Sequence, residues 1–353
     1  MSLGTINGLS TGRFDEMVDP LVTVCIPTYN RASLLRQSIA SVLSQTFHDF
    51  RLIVVDNASD DETETVVRSF DDARVKYVRN AQNIGLRGNW NRCLALATGQ
   101  YITILPDDDL MMPNNLEAKV AILKCHAQVG LVHSKFHTID SAGNILRHNT
   151  NWGHGPDRES DAVECGQNVL SEMVLTYNRI NTPTVVFRRA CYEKLQGFTD
   201  RLSLTQDWEY WMRIAVYYDV AFLASPLIKW RIHGGSQTSL YAHSEGHAPN
   251  DLGFREHLAA KRLILRNPLH ADLLAHELKS QAWEVIRAEV IQRAETMWHH
   301  GKTNSQIRKF ILGTVLVIPE LIWHRNIWKI LTRSIVGTEV VRCIKRFFRE
   351  SSR

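Results

Sequence analysis

The 353-residue chain is 44% hydrophobic, 8% aromatic and 22% charged, a balance that buries a sizeable core and excludes disorder, collagen-like repeats and low-complexity sequence. Its net charge of +4 is unevenly spread: residues 301–353 carry 11 Lys/Arg against 3 Asp/Glu, which leaves 30 against 34 in the first 300. The six cysteines show no CxxC pair and read as reduced thiols that pack like small hydrophobes.

Residues 1–20 lack the apolar run and cleavage pattern of a secretory signal; they read as an N-terminal extension and predict a cytoplasmic protein. From Leu21 short β-branched runs alternate with longer amphipathic ones, the pattern of a parallel sheet flanked by helices. Strands are predicted at 21–26, 51–56, 74–78 and 101–105, with helices at 31–45, 60–70 and 86–98 between them. In an open sheet of this kind ligands sit at the carboxyl ends of the strands, so PTYN, DNASDD and PDDD should converge on one crevice.

Further on, a helix is predicted at 116–125, strands at 129–133 and 136–139, and a turn at 141–144. A polar loop at 148–160, a helix at 164–177 and a strand at 183–187 follow. Trp208, Trp211, Met212 and Ala215 fall at i, i+3, i+4 and i+7, a helix with Asp207 and Glu209 in its first turn. Strands at 220–224 and 227–232 lead to the loop HGGSQT, and helical periodicity runs from Asp251 to the end. The predicted organisation is a catalytic domain over 21–240 and a helical region over 241–353. The apolar stretch 310–323 is shorter than the roughly 20 residues a spanning helix needs.

Asp107, Asp108 and Asp109 are three adjacent like charges, whose repulsion raises pKa values unless a cation relieves it. A divalent ion shared with a nucleotide diphosphate is one reading; a solvated acidic turn is the other. Asp56 ends its strand and can bind a base or ribose, or serve only the Asp-Asn-x-Ser turn. Asp207 is either a helix cap or a general base for a sugar hydroxyl. As a base it stands in tension with the helix N-terminus, which favours the carboxylate and lowers its basicity, so it requires burial or a neighbouring anion. His233, before two glycines, is a surface residue or a metal ligand.

Taken together, PTYN, VVDNASDDET, NIG, ATGQYITILPDDDLMMP, QDWEYWMRIA and IHGGS resemble the family 2 glycosyltransferases of the GT-A fold, from about Val22 to Thr238. The resemblance implies an α/β fold with a mostly parallel Rossmann-like sheet and an inverting transfer of a sugar from a nucleotide diphosphate sugar, usually UDP-linked, to an acceptor hydroxyl. It implies that Thr28 and Tyr29 line the nucleotide pocket, that Asp56 reads the base, and that Asn83, Gly85 and Asn91 lie beside it. It further implies that Asp107 approaches the ribose or metal, and that Asp108 coordinates Mn²⁺ or Mg²⁺ with Asp109 and His233 as the neighbouring candidate ligands. Asp207 takes the position of the catalytic base. Pro106 and Gln206 stand where many members carry acids, and the QxxRW signature of processive members is absent, which implies a single-addition enzyme.

Residues 337–353 place Val340, Val341, Ile344, Phe347 and Phe348 on one helical face among basic residues. Such a helix lies on an anionic membrane, where a glycan or lipid-linked acceptor would be presented, or docks on the domain. Nucleic acid is disfavoured as a partner, since no reading helix or stacking platform accompanies the charge. The rival classes are a catalytically silent membrane-associated nucleotide-sugar-binding protein and a sugar nucleotidyltransferase, the latter disfavoured because PTYNRAS has no phosphate-binding glycines.

Overall fold

A computed structural model describes residues 19–151, 158–234 and 251–336. The amphipathic tail 337–353, Cys343 and most of HGGSQT lie outside the described residues, as does the predicted boundary near residue 240.

Strands β1 (Val22–Thr28), β2 (Phe50–Asp56), β3 (Val75–Arg79) and β4 (Tyr101–Ile104) alternate with helices α1 (Ala32–Leu43), α2 (Thr63–Arg68) and α3 (Gly85–Leu96), as their periodicity predicts. They pair in parallel in the order β3-β2-β1-β4. All seven residues of β1 are buried, which suits a strand covered on both faces. On α1, Leu35, Ile39 and Val42 face the core.

The chain continues through β5 (Leu110–Met111), α4 (Asn115–Cys125), β6 (Val129–Ile139), β7 (Ile145–Thr150), β8 (Ala162–Glu164) and α5 (Gly166–Leu175). Strand β9 (Val186–Arg188), helices α6 (Arg189–Leu195) and α7 (Gln206–Tyr217) and strand β10 (Asp219–Arg231) follow. β9 lies antiparallel between β4 and β6, β10 runs parallel to β6, and the sheet reaches ten strands.

Several boundaries differ from the sequence reading. The two strands expected at 129–139 are one, as are the two expected at 220–232, because β6 and β10 pair along nearly their whole length. Pro226 has no N–H to give the ladder, and the register shifts there rather than breaking. β7 runs into the stretch read as a polar loop, and β8 fills residues given no element, up to the start of the predicted helix at 164: β7 is exposed along most of its length and shows no buried alternation to detect.

Residues 251–336 form helices α8 (Asp251–Arg266), α9 (His276–His299), α10 (Asn304–Val317) and α11 (Arg325–Val336). α9 buries Leu278, Ala282, Ile286, Val290 and Ala294, a strict four-residue stripe. These side chains share one apolar cluster with Trp208, Trp211 and the sheet residues Cys25, Ile53 and Ile104, so the helices extend the catalytic core. Among the described residues no helix is long and apolar enough to cross a membrane, and five cysteines are free.

Candidate active site

The carboxyl ends of β1, β2 and β4 meet, and their loops lock together. Asn30, at φ 53°, receives the Asp60 N–H on its side-chain oxygen at 2.7 Å and donates its own N–H to Ser59 Oγ at 2.9 Å. Ala58 also sits in the left-handed region, at φ 66°, a conformation costly for a residue with a Cβ and held here by these cross-loop bonds.

The acid triplet is fixed from below by one polar face of α1. Ser38 Oγ donates to the backbone oxygens of Asp107 and Asp109, Ser41 Oγ accepts the Met111 N–H, and Gln45 bonds Met112 O and Leu116 N. Each carboxylate then has a separate task. Asp107 accepts from Thr28 Oγ1 at 2.8 Å and from Arg31 Nη1 at 3.1 Å. Asp108 Oδ2 meets Arg31 Nη1 and His233 Nε2, both at 2.9 Å. Asp109 Oδ1 accepts the backbone N–H of Arg231 at 2.8 Å, which ties it to β10 rather than to His233. Among the described residues no group of three His, Cys, Asp or Glu side chains is arranged to hold a metal ion. Burial and the charge of Asp108 push the Asp107 carboxyl up to about 6, even though Arg31 and Thr28 pull it down.

Asp207 is the second residue of α7 and not its cap. Its carboxylate accepts from Thr182 Oγ1 and from the Trp208 N–H, both at 2.8 Å. Burial raises its pKa against these two bonds. The anion that the helix N-terminus calls for comes from elsewhere: Glu256 on α8 accepts the N–H groups of Ser203, Leu204 and Thr205, immediately before α7.

The triplet and Asp207 line one cavity of about 330 Å³, together with Leu86, Trp90, Leu204, Trp208 and His257. His257 belongs to α8, so the helical region contributes directly to the wall.

The remaining predicted residues lie around this centre. Tyr29 is exposed on the rim of the β1 loop. Asp56 is fully buried: Oδ1 accepts from the N–H and hydroxyl of Ser59, and Oδ2 from Tyr77 OH and Arg79 Nη1. Asn83 Oδ1 accepts from Asn57 Nδ2 at 2.7 Å and from the Gly85 N–H at 2.8 Å, and Gly85 takes φ 76°, which glycine adopts without strain. Asn91 is turned away from the crevice and clamps the backbone N–H and C=O of Phe198.

Arg31, Thr182, Glu256 and Arg231 were not singled out from sequence. Arg31 directly follows PTYN, a signal that position offers in retrospect. Arg231 is 1% exposed, and its guanidinium donates to the backbone oxygens of Asp108, Asp140 and Ser141 and to Gln37 Oε1. Arg231→Met takes this donor from the buried Asp108 carbonyl and breaks the part-buried bonds to Asp140, Ser141 and Gln37, and should lower unfolding free energy by about 3 kcal/mol in urea titrations. An unchanged midpoint and slope would show that the guanidinium does not hold the loop.

The comparisons with known proteins agree with this architecture. The model of "Glycosyl transferase family 2" matches residues 23–188. An uncharacterized glycosyltransferase of Methanocaldococcus jannaschii is 29% identical over 222 residues, covering 62% of this chain and 72% of that protein. One from Rickettsia prowazekii is 29% identical over 253 residues, 71% of this chain and 76% of its own length. S. aureus TarS in complex with UDP-GlcNAc superposes with a TM-score of 0.62 at 18% identity over 85% of this chain and 82% of that one, a likeness of fold. The sheet order, the strand-end acids and the comparisons converge: residues 23–188 match the glycosyl transferase family 2 model, and the chain has a GT-A fold.

Proposed function

We propose that this glycosyltransferase moves a sugar, with inversion, from a nucleoside diphosphate donor, UDP-linked, to a hydroxyl of a glycan or lipid-linked acceptor, and that Asp207 is its general base. The observation that carries this reading is that the acid triplet and Asp207, about a hundred residues apart in the chain, line the same cavity. Residues 23–188 alone carry the family match, whereas Asp207 and His233 reach the site only through the fold.

Two protein donors are at hand for a divalent ion, one fewer than a site of three side chains would supply. Asp108 and His233 present an oxygen and an imidazole nitrogen 2.9 Å apart, and burial with the neighbouring Asp108 charge pushes Asp107 up despite Arg31. Asp108 and His233 would hold Mn²⁺ or Mg²⁺, and a bound ion would supply charge neutralisation for the leaving diphosphate. Arg31 provides a fixed positive charge beside the same acids. The base is recognised around the cluster of Asp56, Tyr77 and Arg79, in which Arg79 is the part that reaches solvent. Asp207, held in orientation by Thr182, draws the proton from the acceptor oxygen. The catalytic unit spans 21–240 and the helical region completes its acceptor side through His257.

A thermal-shift screen of nucleoside diphosphates and their sugars tests the donor class. UDP or a UDP-sugar with Mn²⁺ should raise the melting point, because a ligand selective for the native state stabilises it by mass action. No response to any nucleotide, with or without the ion, would remove the proposal.

A further inference from the structure

We propose that the face formed by α10, the turn at 319–323 and α11 is a docking surface for an anionic lipid bilayer. Trp323, 90% exposed, and Leu316, 83% exposed, are the two most exposed large apolar side chains among the described residues. They are not isolated. Leu312 lies one turn before Leu316 on the same face of α10, and both are exposed. The chain then turns at Pro319–Trp323, where Ile322 is also exposed. Trp328 Nε1 donates to Ile322 O at 2.6 Å, which seats its half-exposed ring against that turn. Ile335 continues the exposed line two turns further along α11.

Charge selects the occupant. Residues 301–336 contain six Lys/Arg and one acid, Glu320. Glu320 is directed inward, held by Arg262 and Arg266 of α8 at 2.9 and 3.0 Å, and offers little negative charge to the face. Lys309 precedes Leu312 by one turn, Arg325 precedes Trp328 by one turn, Lys329 is its neighbour, and all three are exposed. A surface of Trp, Leu and Ile bordered by cations matches the interface of a membrane with negative headgroups, where indole rings settle and lysines reach the phosphates. A docked helix pair of this kind lies on the bilayer, consistent with no described helix being able to span it. The proposal is argued from residues 301–336 alone and does not depend on the assignment of Asp207.

The test uses full-length protein and phosphatidylcholine vesicles with and without phosphatidylglycerol. The parent should co-sediment with the anionic vesicles and be released by high salt, and Leu312→Ser/Leu316→Ser/Trp323→Ser should lower partitioning by about tenfold or more. A second variant, Lys309→Glu/Arg325→Glu/Lys329→Glu, should lose the preference for phosphatidylglycerol. It leaves the apolar residues in place and guards against loss of folding, with circular dichroism checked for both. A chain ending at Val336 should retain binding. Three results would overturn the proposal: no parent binding to either vesicle, parent-like binding by both variants, or binding lost on truncation alone. Concentration-dependent dimerisation abolished by the serine variant, without vesicle binding, would assign the face to a second copy and equally overturn it.

Discussion

Asp207→Asn is expected to lower kcat by about 10³-fold while leaving nucleotide affinity within about twofold, since a positioned general base contributes on that scale and touches only the acceptor. Asparagine is isosteric and can still accept the Trp208 N–H and bond Thr182, so geometry survives and basicity does not. Stability gives an independent reading. A carboxyl whose folded pKa lies above its unfolded value penalises the native state at pH above the folded pKa, and the penalty fades as pH falls. At neutral pH the variant should therefore melt no lower than the parent. The same burial places the acid limb of kcat/KM above the ordinary aspartate range, because activity falls as the carboxylate takes up its proton. Thr182→Val removes a bond that favours the charged form and should move that limb to higher pH. Parent-like turnover by Asp207→Asn would sink the assignment.

Much of this site was legible because its parts obey local rules. A parallel sheet places its ligands at strand ends, and of the three motifs expected to converge PTYN and PDDD contribute to the cavity lining, whereas DNASDD is bonded to the β1 loop through Asn30 and does not line it. The burial required of Asp207 in the reading that makes it a base is met by its place in the cavity wall, and a separate anion, Glu256, caps the turn before α7. The identity of that anion was not legible, since Glu256 lies 49 residues beyond Asp207 in a helix read only as amphipathic. The supports of the triplet were equally hidden. Ser38, Ser41 and Gln45 belong to no motif, yet they bond a loop some 70 residues away. Arg231 ends a strand in a segment with no motif of its own, and only the pairing of β10 with β6 and β5 carries it beneath Asp108. Asn91 shows the opposite failure: it fits a polar motif but spends its amide on Phe198.

The three acids of the triplet should separate under substitution, although they are adjacent in sequence. Asp108→Asn removes the charge that faces both Arg31 and His233, and calorimetry should show the Mn²⁺-dependent part of UDP affinity falling by about 10- to 100-fold, the usual scale for a damaged metal site. In the absence of the ion the variant and parent should bind UDP alike or nearly so, because Arg31 and the backbone loops remain. Asp109→Asn makes the contrasting case. Its carboxylate serves the Arg231 backbone N–H, which an asparagine oxygen can still accept, and burial together with Asp108 pushes its pKa up. Neutralising it should relieve repulsion and leave the Mn²⁺ increment intact. If Asp108→Asn kept the full ion-dependent increment while Asp109→Asn lost it, the cation would have to sit on the β10 side of the loop, and the pairing of Asp108 with His233 would be an ordinary hydrogen bond.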